Sequence, residues 1–138
     1  MAADPTIEPE LFAAARVVQG NAYVPYSRFP VGAALRTPSG AVFVGCNVEN
    51  AAYPEGTCAE AGAIAAMVAA GEQAIEAIVT VCDGEALGTC CGGCRQKIRE
   101  FATSETLIHN AGPDGVRRTF SVAELLPESF GPEHLSQA

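Results

Sequence analysis

Four residues in this chain have the types and spacing to do chemistry. They are Cys58 and Glu60 in Thr57-Cys58-Ala59-Glu60, and Cys91 and Cys94 in Cys91-Gly92-Gly93-Cys94. Two cysteines separated by two residues can chelate one ion, because the turn between them brings both sulfurs to one side. Cys58, from a distant segment, completes a three-thiolate set. Zinc prefers four tetrahedral ligands, and a catalytic site keeps the fourth position for water. Glu60 falls in the first turn of a predicted helix, where it can carry protons at that position without ligating. Cys58 and Cys91 each precede a predicted helix, whose unpaired N–H groups and macrodipole place about half a positive charge there. Thiolates are stabilised at such ends. The two helix ends together offset the excess negative charge that three thiolates leave on a zinc ion.

Other readings of these residues remain open at this level. A lone C-x-x-C also suits a redox dithiol or half of a structural zinc knuckle. A closed structural site would need a fourth ligand such as Cys90 or Cys46, since His109 and His134 are remote in sequence. The glutamate two residues after Cys58 has no purpose in a closed cage, which favours a catalytic zinc over a structural one. Cys46 and Cys82 lie inside apolar runs and read as plain buried thiols.

Composition narrows the function classes. The chain has 138 residues and a formal charge of −8 with only eight Lys and Arg. That length suits one domain, 1–138, with a single core. An acidic chain is repelled by phosphate backbones, so a polynucleotide substrate is disfavoured and a small neutral ligand expected. No apolar stretch has membrane-spanning length, and the acidic first 20 residues lack the basic start of a secretory signal. A cytoplasmic location is the expectation, in which clustered cysteines point to metal or catalysis rather than disulfides.

The elements that must position these residues follow from pattern. Leu11, Ala15, Val18 and Ala22 predict a helix over 9–22. Strands are predicted over 31–37 and 42–46, joined by the turn Pro38-Ser39-Gly40. A helix over 58–70 closes at Gly71. Then come a buried strand over 77–82, a helix over 92–101, and strands over 106–109 and 116–120 separated by Gly112-Pro113-Asp114-Gly115. Ser121 and Glu124 form a capping box for a last short helix. The order α-β-β-α-β-α-β-β-α predicts a mixed sheet covered by helices.

The C-x-E and C-x-x-C pair, with 32 residues between Cys58 and Cys91, resembles the signature of zinc-dependent nucleoside deaminases. The likeness extends to Ala22-Tyr23-Val24-Pro25-Tyr26-Ser27-Arg28-Phe29-Pro30-Val31-Gly32-Ala33-Ala34 and to Gly45-Cys46-Asn47-Val48-Glu49-Asn50-Ala51-Ala52-Tyr53-Pro54. Cys94-Arg95-Gln96 and Leu125-Leu126-Pro127-Glu128-Ser129-Phe130-Gly131-Pro132 continue it, so roughly 22–135 is covered. With a Cys as first ligand, the chain is similar to the small homotetrameric cytidine deaminases. The resemblance implies an α/β fold, a three-layer α/β/α sandwich with a mixed five-stranded sheet. It implies one Zn2+ per subunit on Cys58, Cys91 and Cys94, with Glu60 as the proton shuttle. Asn47 and Glu49 match the pair that binds the ribose hydroxyls, and residues two apart on an extended segment do face the same way.

By the same resemblance, Phe29 packs in the pocket, and backbone groups at Ala59 and Cys91 hold the base edge. Ala51 and Tyr53 reach the 5′ side of the ribose in an adjacent subunit's pocket, and Phe130 is lent by a neighbour to stack on the pyrimidine. The implied reaction is hydrolytic deamination of free cytidine and deoxycytidine, in pyrimidine salvage, by a homotetramer with shared active sites. The partner is a small nucleoside, with no nucleic acid polymer and no membrane. A deaminase of another amino-heterocycle on the same fold, or a zinc-stabilised interaction protein, are the alternatives. Two positions depart from the pattern. Ala61 stands where many relatives carry an Arg thought to neutralise thiolate charge; either Arg95 or the helix dipoles must serve instead, or the zinc water is less acidic than usual, with Arg95 favoured. Cys90 stands where a proline usually precedes the C-x-x-C, which leaves Cys90 and Cys91 to be told apart.

Overall fold

The computed structural model describes residues 5–136. Its elements are α1 (Ile7–Gln19), β1 (Val31–Arg36), β2 (Val42–Cys46), α2 (Ala59–Ala69), β3 (Ala77–Cys82), α3 (Gly92–Glu100), β4 (Leu107–Gly112), β5 (Gly115–Ser121) and α4 (Val122–Leu125). One sheet has the order β2-β1-β3-β4-β5. β1 pairs antiparallel with both β2 and β3, β3 pairs parallel with β4, and β5 closes antiparallel on β4. β2, β3 and β4 therefore run in one direction. The two crossovers between them carry α2 and α3, as the handedness of strand–helix–strand units favours.

Apolar side chains divide by strand face. Ala34, Val79, Val81 and Ala111 pack under Ile7, Leu11 and Ala15 of α1. Ala33, Leu35, Ile78 and Ile108 pack under Ala63 and Met67 of α2 and Ile98 of α3, with Val122 and Leu125 of α4 in the same cluster. The result is the expected three-layer α/β/α sandwich, with α1 on one side and α2, α3 and α4 on the other.

Small residues let α2 lie directly on the sheet. A Cβ added at Gly45 of β2 would run into Ala59 O and Ala63 N, and would lie 2.9 Å from the carbonyl carbon of Gly62. Ala70 is the C-cap of α2, followed by Gly71 at φ 90°, where a side chain is disfavoured. Ser121 caps α4 in the reciprocal box, with Ser121 N–H donating to Glu124 Oε1 (2.9 Å) and Glu124 N–H to Ser121 Oγ (3.1 Å).

Several boundaries differ from the sequence reading. α1 starts two residues earlier than expected and stops at Gln19. The chain then tightens into bonds from Asn21 to Val18 and from Ala22 to Gln19, leaving Ala22 outside the helix. β4 runs on to Gly112, because Asn110 and Ala111 still pair with Thr80 and Val81 of β3. Only Pro113-Asp114 remains as the turn, with Gly115 at φ 138°. Cys82 is buried as expected, but Cys46 at the end of β2 is only half-buried.

Candidate metal centre and active site

The two parallel crossovers determine where the cysteines go. α2 and α3 sit on one face of the sheet and start from the same end, so their N-termini converge. Cys58 is the N-cap of α2 and Cys91 the N-cap of α3, both with extended backbone. Cys94 follows in the first turn of α3. The Sγ atoms of Cys58, Cys91 and Cys94 all lie within 4.8 Å of one another, and Cys58 and Cys91 are 3.8 Å apart. Tetrahedral ligation with bonds of about 2.3 Å separates sulfurs by about 3.8 Å, so this donor set fits zinc.

The thiols ask for a cation. Burial pushes the Cys94 thiol far up, and the charges of Glu60 and Cys58 push it further. Cys58 is also raised, again chiefly by burial. Cys91 feels burial too, but the Cys94 backbone N–H and hydrogen bonds from the neighbouring thiols outweigh it and bring it below the usual range. Three such groups cannot ionise together without a bound positive ion, and metal binding must expel their protons. Cys90 stands apart. Its side chain is buried in the core under α2 and α3, where burial lifts its thiol to about 11. The structure thus puts Cys91, not Cys90, beside the other two sulfurs.

Glu60 is 3% exposed, and burial raises its carboxyl above the ordinary range, opposed by a backbone hydrogen bond and by the charge of Lys97. It lines a cavity of about 400 Å³ with Cys58, Cys91 and Ala59 at one end, a size suited to a small organic ligand. Phe29, Asn47, Glu49 and Tyr53 also line it. Asn47 Oδ1 accepts from Val31 N–H (2.8 Å), and its Nδ2 donates to Phe29 O (2.9 Å). Glu49 Oε1 accepts from the backbone N–H groups of Tyr26 (2.9 Å) and Ser27 (3.1 Å). Hydrogen bonding from Ser27, more than its slight burial can counter, holds that carboxyl below the usual value. The loop 23–30 and the segment 47–49 thereby fix each other, presenting an amide and a carboxylate side by side.

Three expected site residues lie outside this cavity's lining: Cys94, buried in the first turn of α3, Ala51 and Phe130. Ala51 is exposed. Phe130 is 57% exposed and stacks on His134 at 5.0 Å, while its carbonyl accepts from Gln96 Nε2 (2.9 Å). Arg99, bound to Ser129 Oγ (2.9 Å) and to Glu133, pins the same tail to α3.

Arg95 does not do what the sequence suggested. Its Nε donates to Cys90 O, one terminal nitrogen to Thr89 Oγ1 and the other to Leu125 O, each at 2.9 Å. With all three nitrogens spent this way, it braces the loop before Cys91 against α4 rather than answering the thiolates. Sequence reasoning also missed Thr80 and Cys82, which line the cavity from β3. The signal was there, since Thr80 is the one polar residue in the run Ala77-Ile78-Val79-Thr80-Val81-Cys82.

With this geometry in hand, comparison with known proteins decides the family. Residues 6–110 match the cytidine and deoxycytidylate deaminase zinc-binding region. The chain belongs to that family. It is 40% identical over 129 residues to a cytidine deaminase of Sporosarcina psychrophila, covering 94% of this chain and 95% of that one. It is 41% identical over 115 residues to one from Mycobacterium tuberculosis, covering 83% of each. The crystal structure of a cytidine deaminase from Burkholderia pseudomallei superposes with a TM-score of 0.84 at 40% identity, over 88% of this chain and 98% of that one. As a member of the deaminase family with three convergent sulfurs, the chain is a zinc-site protein.

Proposed function

We propose that this protein hydrolyses free cytidine and deoxycytidine to uridine and deoxyuridine, releasing ammonia. The observation that carries the reading is the buried Glu60 at the sulfur end of a cavity whose other walls include Asn47 and Glu49. Cys58, Cys91 and Cys94 would hold the zinc, which when bound supplies a Lewis acid that makes water a nucleophile near neutral pH.

The chain's own groups do the rest. Asn47 and Glu49 grip the ribose hydroxyls, and their bonds to loop 23–30 preset their positions. Phe29 packs against the sugar and base. The first N–H groups of α2, at Ala59, have no partner within the helix and are available to the base edge together with the backbone at Cys91. Glu60 accepts a proton from the attacking water and delivers it to N3, which readies C4 for addition. It then takes the remaining proton from the new C4 hydroxyl and passes it to the departing amino group. Its raised pKa suits a group that must both take and give a proton near neutrality.

The homotetramer with shared active sites is part of this proposal. Beyond Glu60, α2 is apolar on every side, with Ala65 and Val68 exposed, which is the pattern of a helix covered by another subunit. Phe130 and Tyr53 are likewise exposed aromatics, available to a neighbouring pocket along with Ala51. All six cysteines are free thiols, which suits a reducing cytoplasm and a role in pyrimidine salvage. We take 1–138 as one functional domain.

The test follows ultraviolet absorbance and ammonia release with cytidine, deoxycytidine and other amino-heterocycles, with and without a chelator. Cytidine turnover that chelation abolishes and zinc restores is expected. No turnover of either nucleoside by a zinc-loaded sample would overturn the reading. Glu60→Gln should keep zinc and fold but lose about 100- to 10,000-fold in kcat.

A further inference from the structure

Below the cavity floor lies a polar pair that the reaction above does not use. Thr80 of β3 and Asn110 of β4 are register partners. Ile78 and Ile108, two residues before each, both belong to the core under α2 and α3, so Thr80 and Asn110 face that side as well. Thr80 is 4% exposed and Asn110 fully buried. Thr80 Oγ1, Asn110 Nδ2 and Asn110 Oδ1 have no hydrogen-bond partner among the described residues. Three such atoms side by side are exceptional, because buried polar groups are otherwise paired and each orphan is costly. Thr80 lines the same cavity as Glu60 and Cys90, and Asn110 is its register partner immediately behind, so the pair adjoins that cavity through Thr80.

We infer that Thr80 and Asn110 form a subsite behind the base pocket for one small neutral molecule that both donates and accepts hydrogen bonds: water at rest, ammonia after the C–N bond breaks. The inventory matches. Thr80 offers one donor and two lone pairs, and the Asn110 amide offers two donors and an acceptor. Neither is charged, and a buried uncharged site disfavours ammonium while accepting ammonia. The inference rests on the deaminase reading, since that reaction generates the guest. Water adds as hydroxyl to C4 while Glu60 moves its first proton to N3; Glu60 then carries the hydroxyl's remaining proton to the amino nitrogen as the C4–N bond breaks, giving uridine and ammonia. A receiving site for ammonia beside C4 would keep it from re-adding before it escapes. β4 is irregular between Asn110 and Ala111, a feature that commonly re-aims a side chain next to a functional site.

The test uses zinc-loaded full-length protein with Thr80→Val, Asn110→Leu and, as the conservative control, Thr80→Ser. Steady-state deamination is measured with ammonium chloride or potassium chloride added at constant pH. Losing one hydrogen bond to the guest should lower kcat about tenfold with KM little changed, and weaken inhibition by ammonia about tenfold. Thr80→Ser should restore both. A lower kcat with unchanged ammonia inhibition would overturn the inference, because a packing change alone gives that result. If Asn110→Leu does not fold, the Thr80 pair of variants decides. Valine and leucine variants that turn over and respond to ammonia like the parent, and merely melt higher, would overturn the inference and leave the deaminase reading intact. A parent that releases no ammonia would instead sink the deaminase reading.

Discussion

Adding one methyl group to Gly45 should cripple the enzyme from a position outside the cavity wall. In Gly45→Ala the new Cβ meets Ala59 O and Ala63 N, both backbone atoms of α2, and sits 2.9 Å from the carbonyl carbon of Gly62. No side chain can rotate away to relieve this. α2 must move outward by about 1 Å, and overpacking of this kind costs about 1–3 kcal/mol. The moving helix carries Cys58 at its N-cap and Glu60 in its first turn. A displacement of about 1 Å at reacting groups is worth about 100-fold in rate. Gly62→Ala is the matched control on the facing side. Its Cβ would meet Gly45 Cα at 3.5 Å and Cys46 backbone atoms at 3.9 Å, ordinary contacts. There the better helix propensity of alanine should add about 0.5–1 kcal/mol. Urea melts, zinc stoichiometry and kcat/KM measured on both variants check the pair. The reasoning is refuted if Gly45→Ala matches the parent in stability and rate, or if Gly62→Ala is damaged as severely.

Other outcomes follow from single groups. Arg95→Met removes three 2.9 Å bonds between the Thr89-Cys90 loop and α4. It should cost about 2–3 kcal/mol by urea melt and speed zinc loss to a chelator, while the pH–rate profile keeps its shape. Zinc removal should leave thiols that are largely protonated at neutral pH, so reloading releases protons, measurable with an indicator dye. Burial holds His109 below its ordinary value of 6.5, against a smaller opposing effect of Glu8. The folded state therefore binds the proton less readily than the unfolded chain. This stability is present above about 6.5 and is lost as pH falls through that value toward the folded pKa. Melting temperature measured from pH 7.5 down to 5 should fall more steeply for the parent than for His109→Gln. Glu49→Gln should raise KM for cytidine far more than it lowers kcat, and equal losses in both would argue against ribose binding.

Local chemistry determined much of this protein. Cys58, Glu60, Cys91 and Cys94 announce a three-sulfur zinc site with an attendant carboxylate, because ligand type and short-range spacing are properties of the chain itself. The hairpin turn before β2, Gly71 after α2 and the Ser121–Glu124 box were legible for the same reason, since each depends on a few adjacent residues. Tertiary structure decided what lies between distant segments. β2 and β3, separated in the sheet by β1, run the same way, and that arrangement brings the starts of α2 and α3 together with their cysteines. Only register reveals that Thr80 and Asn110 are neighbours, and only packing shows that Arg95 braces a loop instead of facing the sulfurs. β4 outran its predicted end because pairing with β3 overrides the turn-like composition of Asn110-Ala111-Gly112. Short-range signals survive in a sequence because their partners are nearby in the chain. Sheet pairing and helix docking do not, because their partners are chosen by the fold.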